Sequence, residues 1–199
     1  MKKLVVKTVA ITVAAIIVLS AAVYLTLALC LPKTLANGWK NMGNYSLAAK
    51  YYEKQYNKSE DVEDLAVLCI YLDVKTDSAR AEKYLKLLTG RDDFKNYCEN
   101  EDNNGGYNMT SYEYYYGKFA VSTYYEKGID AAVKVASEAV SAGYSEHNAF
   151  YILLIDVETL TESDGGKLSA AITDIKSGLT GETEIDFADR DIALANSVR

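Results

Sequence analysis

Apolar and polar positions recur every three to four residues along most of this chain, with one exception near its start. Val9 to Leu31 is a run of 23 uncharged residues with no Gly and no Pro. As a helix rising ~1.5 Å per residue it reaches ~35 Å, enough to cross a ~30 Å hydrocarbon core with some tilt. Beyond it the helical period returns, alternating β-branched runs are missing, and Pro32 is the single proline. The pattern predicts paired helices with short turns. Leu31–Met42 and Tyr45–Asn57 flank a Gly43-Asn44 turn. Val62–Asp73 pairs with Ser78–Leu88, and Tyr112–Glu126 with Ile129–Ala142 across Lys127-Gly128. Glu146–Leu160 pairs with Lys167–Gly178 across Ser163-Asp164-Gly165-Gly166.

The expected class is therefore all-α: a transmembrane helix followed by an array of antiparallel helix pairs. Residues 1–8 are a basic flank, 9–31 the span, and 32–88 two helix pairs. Residues 89–109 form a polar insertion around the turn-forming Asn103-Asn104-Gly105-Gly106, and 110–178 hold two further pairs. Residues 179–199 are a tail in which Asp189–Val198 forms a last short helix. Ser59, Asp77 and Ser145 stand at helix starts as candidate N-caps.

The apolar run reads as a retained anchor; a cleaved secretory signal is the competing reading. Signal cores run about 7–15 residues and end at a small-x-small site. The best such site, Thr34-Leu35-Ala36, lies beyond Pro32, and Leu29 before Cys30 is too large for a lipoprotein signal. Lys2, Lys3 and Lys7 precede the run, against Lys33 and Lys40 after it. That bias places the N-terminus in the cytoplasm and the remaining chain outside. Repeat-like positions begin three residues after Pro32, so the domain is expected to sit against the bilayer with almost no linker.

One unit stands out within the helix pairs: Leu35, Ala36, Trp39, Gly43, Tyr45, Ala48 and Tyr52. It resembles the tetratricopeptide (TPR) repeat, a helix–turn–helix of about 34 residues with large, small and aromatic residues at these spacings. The small residues let paired helices approach, and the aromatics fill the gap to the next pair. A second copy follows 33 residues on, with Leu68, Cys69, Leu72, Ser78, Ala81 and Leu85 in the same slots. Glu60 stands where the family has a late Pro. The third pair keeps only a small-residue stripe, Ala132, Ala136 and Ala139. The resemblance covers 31–88 best and 110–178 weakly. It implies a TPR-like α-solenoid that binds a protein partner on its concave face. The competing architecture is a non-repetitive helical bundle.

Charge narrows the partners. Without Lys2, Lys3 and Lys7, 18 of the 21 basic residues remain against 28 acids, a net of −10. Such a surface, taken as a whole, repels nucleic-acid phosphates and anionic headgroups. His147 is the sole histidine and lies at a helix start, where a solvated polar residue is normal. Phosphate loops, metal-type cysteine pairs and nucleophile elbows are missing from the sequence. Asn100, Asp102, Asn104 and Gly105 match the start of a calcium loop. Ser111 then stands where a bidentate Glu is required, and Glu113 comes two residues late. Cys69 reads as a core residue, with pairing to Cys98 open in an exported domain. No catalytic, cofactor or metal residue is assigned.

Tyrosine is the outlier: the chain has 17, seven of them between Tyr107 and Tyr125. Tyr112, Tyr114, Tyr115, Tyr116 and Tyr125 are the candidate partner-binding residues, with packing between helix pairs as the alternative role. The expected function is a membrane-anchored, non-catalytic scaffold for a membrane-associated protein. The alternative is a glycan-binding or carboxylate-dependent envelope enzyme with a Tyr-lined cleft, which requires two inward-facing acids. A cytoplasmic-facing tether is the third reading.

Overall fold

A computed structural model describes residues 2–100, 111–140 and 143–199. The described residues form eleven helices and no strand. They are α1 (Lys2–Cys30), α2 (Pro32–Asn41), α3 (Tyr45–Ser59), α4 (Val62–Tyr71) and α5 (Ser78–Thr89). Then follow α6 (Phe94–Glu99), α7 (Ser111–Lys127), α8 (Ile129–Ala139), α9 (Ala149–Asp156), α10 (Glu162–Lys176) and α11 (Glu182–Ser197).

α1 carries the apolar run, and from Lys7 to Cys30 it is long and apolar enough to cross a membrane. From Val9 to Leu25 its Val, Ile and Leu side chains stand exposed, unlike those of a buried core helix. Leu31 leaves helical geometry (φ −130°, ψ 56°), and Pro32 opens α2 at its first position, where the missing N–H is no loss. Residues 32–41 are thus helical from the first residue after the break, with no linker.

The α2–α3 turn shows why Gly43 is there. Gly43 N–H donates to Lys40 O and Asn44 N–H to Trp39 O, both at 2.9 Å, which closes the helix end in a left-handed turn. That turn needs the φ of +75° found at Gly43. Asn44 then caps α3 by accepting from Leu47 N–H. Ala36 and Ala48 are fully buried, and Tyr52 fills the space beside them with its hydroxyl 2.6 Å from Asn37 Oδ1.

Packing passes from helix to helix along the chain. α2 lies on α3, α3 on α4, α4 on α5 and α5 on α7. α7 contacts α8 and α9, α8 contacts α9 and α10, and α9 and α10 both contact α11. The buried apolar residues form one continuous core from Ala28 to Ala195. α6 lies inside the segment expected to be a polar insertion. Its Phe94 and Tyr97 are buried, and it packs on α4 and α7. α7 packs on α5 directly.

The fourth pair differs from expectation. α9 ends at Asp156, and α10 runs straight through Gly165-Gly166, which were expected to form the turn. Thr161 and Asp164 close a capping box at the real start of α10. Gly165 is in the helix for lack of space: a Cβ there would strike the Ala195 carbonyl on α11. α11 is also longer than the expected short helix, because Asp191 anchors it. Fully buried, Asp191 accepts from Tyr144 at 2.7 Å and Asn148 at 2.8 Å and pairs with Arg190. Arg190 in turn donates to Glu146 O at 2.7 Å.

Two expected caps move. Asp61, not Ser59, caps α4 by accepting from Glu63 N–H, and Asn148, not Ser145, caps α9 with two bonds. Asp77 holds the N-cap position of α5 but bonds Arg80 and no first-turn amide.

The two adjacent glycines of α10 make a matched test. Gly165→Ala is expected to lower stability by about 1–3 kcal/mol through the clash with α11. Gly166→Ala, which meets nothing within 4 Å, is expected to raise it by about 1 kcal/mol through helix propensity. Urea unfolding of the full chain in mild detergent reads both. Shifts of the same sign would disprove the α10–α11 approach.

Candidate interaction surface

The tyrosines of α7 divide by depth. Tyr115 is 2% exposed and belongs to the core, so it offers no face to a partner and leaves the candidate set. Tyr112, Tyr114, Tyr116 and Tyr125 are half-buried, packed on the core with one edge outward. Phe94 of α6 organises three of the rings. It stacks on Tyr112 at 5.5 Å, meets Tyr115 edge-on at 5.8 Å and lies 6.3 Å from Tyr116. Tyr112 and Tyr116 are 4.9 Å apart, one helical turn from each other. Tyr114 leans on Tyr115 at 5.6 Å. Tyr125 stands apart, edge-on to Tyr124, whose hydroxyl bonds Thr159 O and Asp164. Burial raises the Tyr115 and Tyr116 phenols above their ordinary range, so these rings stay neutral. Phe94 escaped the sequence reading because its neighbours Asp92, Asp93 and Lys95 are polar; the available signal was Tyr97 one turn later.

A second group of rings joins α3 to α4. Tyr71 lies between Tyr45 at 5.8 Å and Tyr52 at 5.3 Å, both nearly parallel to it. Tyr45, expected to be a packing residue, stacks here but is 56% exposed. Leu35 and Trp39 are half-buried against the core, and Ala81 is fully buried.

Lys118 is the residue that sequence reasoning missed. It lies on α7 with only 7% exposure. Its Nζ donates to Cys69 O and Ile70 O at 2.7 Å and to Leu72 O at 3.1 Å. These carbonyls end α4, which has no basic residue in its own last turn. An ammonium has three protons, and each finds one carbonyl at the negative end of the helix. Tyr114 places its ring face 5.6 Å from the same nitrogen. Burial pulls the Lys118 pKa down to about 8, while the Cys69 thiol, Asp73 and Asp156 favour its charged form. Asp156, half-buried, has its carboxyl raised by that burial. The available signal was a lone lysine inside Gly117-Lys118-Phe119-Ala120-Val121. Gly117 beside it lets α9 approach: a Cβ there would lie 2.5 Å from Ile152 Cδ1.

The buried and half-buried acids are mostly committed. Burial would raise Glu53, but Tyr84 and Arg80, each at 2.5 Å, hold its carboxyl below the ordinary range. Asp64 is held down in the same way against burial by Gln55, Ser59 and Lys33. His147 is half-buried, its ring 5.8 Å from Tyr151, and its Nδ1 meets no hydrogen-bond partner among the described residues. No disulfide joins Cys30, Cys69 or Cys98. Among the described residues no three His, Cys, Asp or Glu gather as a metal site. The calcium-like segment lies, beyond Asn100, outside those residues.

Lys118→Met leaves three helix-end carbonyls without a donor and is expected to cost about 2–4 kcal/mol at pH 7. The folded pKa of about 8 lies below the ordinary 10.5. Between those values the unfolded chain holds the extra proton, so this group's share of stability rises with pH. Urea midpoints of the full chain should rise from pH 8 to pH 9.5, and K118M should lack that rise. Parallel pH profiles for the two chains would remove Lys118 as the titrating group. No protein-family model, curated protein or solved structure matches this chain.

Proposed function

We propose that this chain is a single-span membrane protein whose helical domain is a TPR-like α-solenoid. In this reading it is a non-catalytic scaffold for a membrane-associated protein. The observation that carries the binding role is the supply of half-buried rings on α7: Tyr112 and Tyr116 one turn apart, with Tyr114 and Tyr125 standing apart from them. Half-buried tyrosines hold their rings fixed by packing while leaving area for a partner, at low entropic cost. The stacking of each helix on the next one or two along the chain supports the solenoid. The alanine slots support the TPR likeness: Ala36, Ala48 and Ala81 are all fully buried. The ion pairs that engage Glu53, Asp64 and Asp191 support a structural use of the buried acids. The orientation proposed, N-terminus in the cytoplasm and domain outside, is supported by Lys2, Lys3 and Lys7 before the run against Lys33 and Lys40 directly after it.

A photoreactive phenylalanine at position 112 or 125 of the full chain, in the membranes where it resides, tests this reading. The expected outcome is one recurrent protein adduct from both positions, and none from a probe at exposed Lys134 on α8. Tyr125→Ala should reduce the adduct formed at position 112 at least threefold with helicity unchanged. Adducts to this chain alone, or equal yield from position 134, would end the scaffold reading. Protease protection of the domain in intact cells would reverse the orientation.

A further inference from the structure

α1 does not leave the domain as a free rod. The Tyr24 and Tyr51 hydroxyls hydrogen-bond, and their rings meet edge to face at 6.5 Å. Farther up, Lys58 Nζ donates to Leu29 O at 2.6 Å. α3 therefore follows the last part of α1 from Tyr24 to Leu29, a rise of ~7.5 Å. Beside Tyr51, α3 presents Lys50, Lys54 and Lys58 at successive turns, all exposed. Lys54 Nζ lies 5.0 Å from the Tyr51 ring centre.

Charge is divided along the chain in the same sense. Residues 32–59 hold five lysines, Lys33, Lys40, Lys50, Lys54 and Lys58, against one acid, Glu53, which Arg80 neutralises. Residues 60–199 hold 13 basic and 27 acidic residues. The helix pair joined to the membrane-spanning segment is thus net basic in a domain that is acidic as a whole.

We propose that the α2–α3 face, led by Lys50, Lys54 and Lys58, docks on the phosphates of anionic phospholipid headgroups, and that Tyr24 marks the edge of the hydrocarbon. The inference rests on α1 crossing a bilayer. If the hydrocarbon reached Leu31, this lysine row would be submerged with it. A submerged ammonium costs about five times what a leucine gains there, so the boundary falls no farther along α1 than Tyr24. Tyrosine is at home at that level. The span then runs from Leu4 to Val23, 20 residues. That is ~30 Å of helix, with Lys7 reaching back to the near surface along its aliphatic stem. The stretch from Tyr24 to Leu29 matches a headgroup layer of roughly 5–8 Å. Lysines held at that height meet lipid phosphates within a Debye length, the condition under which a basic cluster binds an anionic surface.

The test uses the full chain in vesicles of phosphatidylcholine alone, or with about one third phosphatidylglycerol. Flotation through alkaline carbonate reports insertion. Timed acetylation with mass spectrometry then reads each lysine, with exposed Lys95 and Lys134 as internal references. The expected result is insertion in both vesicles, with Lys50 and Lys54 acetylated at least threefold more slowly in the anionic ones. That protection should disappear in 0.5 M salt. Equal rates in the two vesicles, or equal protection in both, would overturn recognition of anionic headgroups while leaving the span intact. Failure to float with either vesicle would overturn the span itself, and this docking face with it.

Discussion

The helices of this domain cannot stand alone. Apart from α1 they run from the 6 residues of α6 to the 17 of α7, most of them at or below the length at which an isolated helix is marginal in water. Their stability comes from packing, and packing at this size requires close approach. The contacts are built on residues with little or no side chain: Ala36 and Ala48 between α2 and α3, Gly117 against α9, and Gly165 against α11. Large rings then fill what the small residues leave open, as Tyr52 does beside Ala36 and Ala48. The 17 tyrosines and four phenylalanines of the chain do this beside buried leucines such as Leu65, Leu68 and Leu85, because each ring buries much area with few rotors.

Close approach alone does not choose which helix meets which. Two buried polar nodes add that information. Lys118 takes the last carbonyls of α4 and joins them to α7, 46 to 49 residues away. Asp191 gathers Tyr144 and Asn148 and joins α11 to the start of α9. Each node is fully engaged, and an alternative packing would strand a buried charge, which costs more than a lost apolar contact. The nodes lie near the two ends of α9, Asn148 at its start and Asp156 at its finish. Between them the helices meet mainly through apolar side chains, where register is less strictly specified.

Much of this was legible in the sequence, for identifiable reasons. Helix period, Pro32, Gly43 and Gly128 place the first three pairs within a few residues, because each of those residues has one dominant use at that position. Gly165-Gly166 misleads because glycine has two uses, a free turn and a close contact, and the second depends on α11, which lies some thirty residues away. The start of α10 was nevertheless written locally, in Thr161 and Asp164. Caps were misassigned where several Ser, Asp and Asn stand within three residues of a helix start; the choice among Ser59, Asp61 and Asp64 is made by tertiary bonds from Gln55 and Lys33. In the aromatic cluster, the α7 tyrosines were visible and their centre, Phe94, was not. A six-residue helix carries too little periodicity to stand out from polar neighbours.

The apolar run illustrates the same limit from the other side. Hydropathy alone gives its length and sets its upper end at Leu31, since nothing in Leu25-Thr26-Leu27-Ala28-Leu29 is charged. The lysines that challenge that boundary are twenty or more residues away on α3, brought alongside by the bonds from Tyr51 and Lys58. Packing against a charged helix therefore shifts the proposed span toward the N-terminus without changing its length by more than a turn. The same bonds make α1 a clamped strut: a rotation of the domain about Leu31 would have to break both. In the proposed membrane setting a partner on the helical domain would meet it at a height set by the bilayer, because Leu31 and Pro32 join α1 to α2 with no linker.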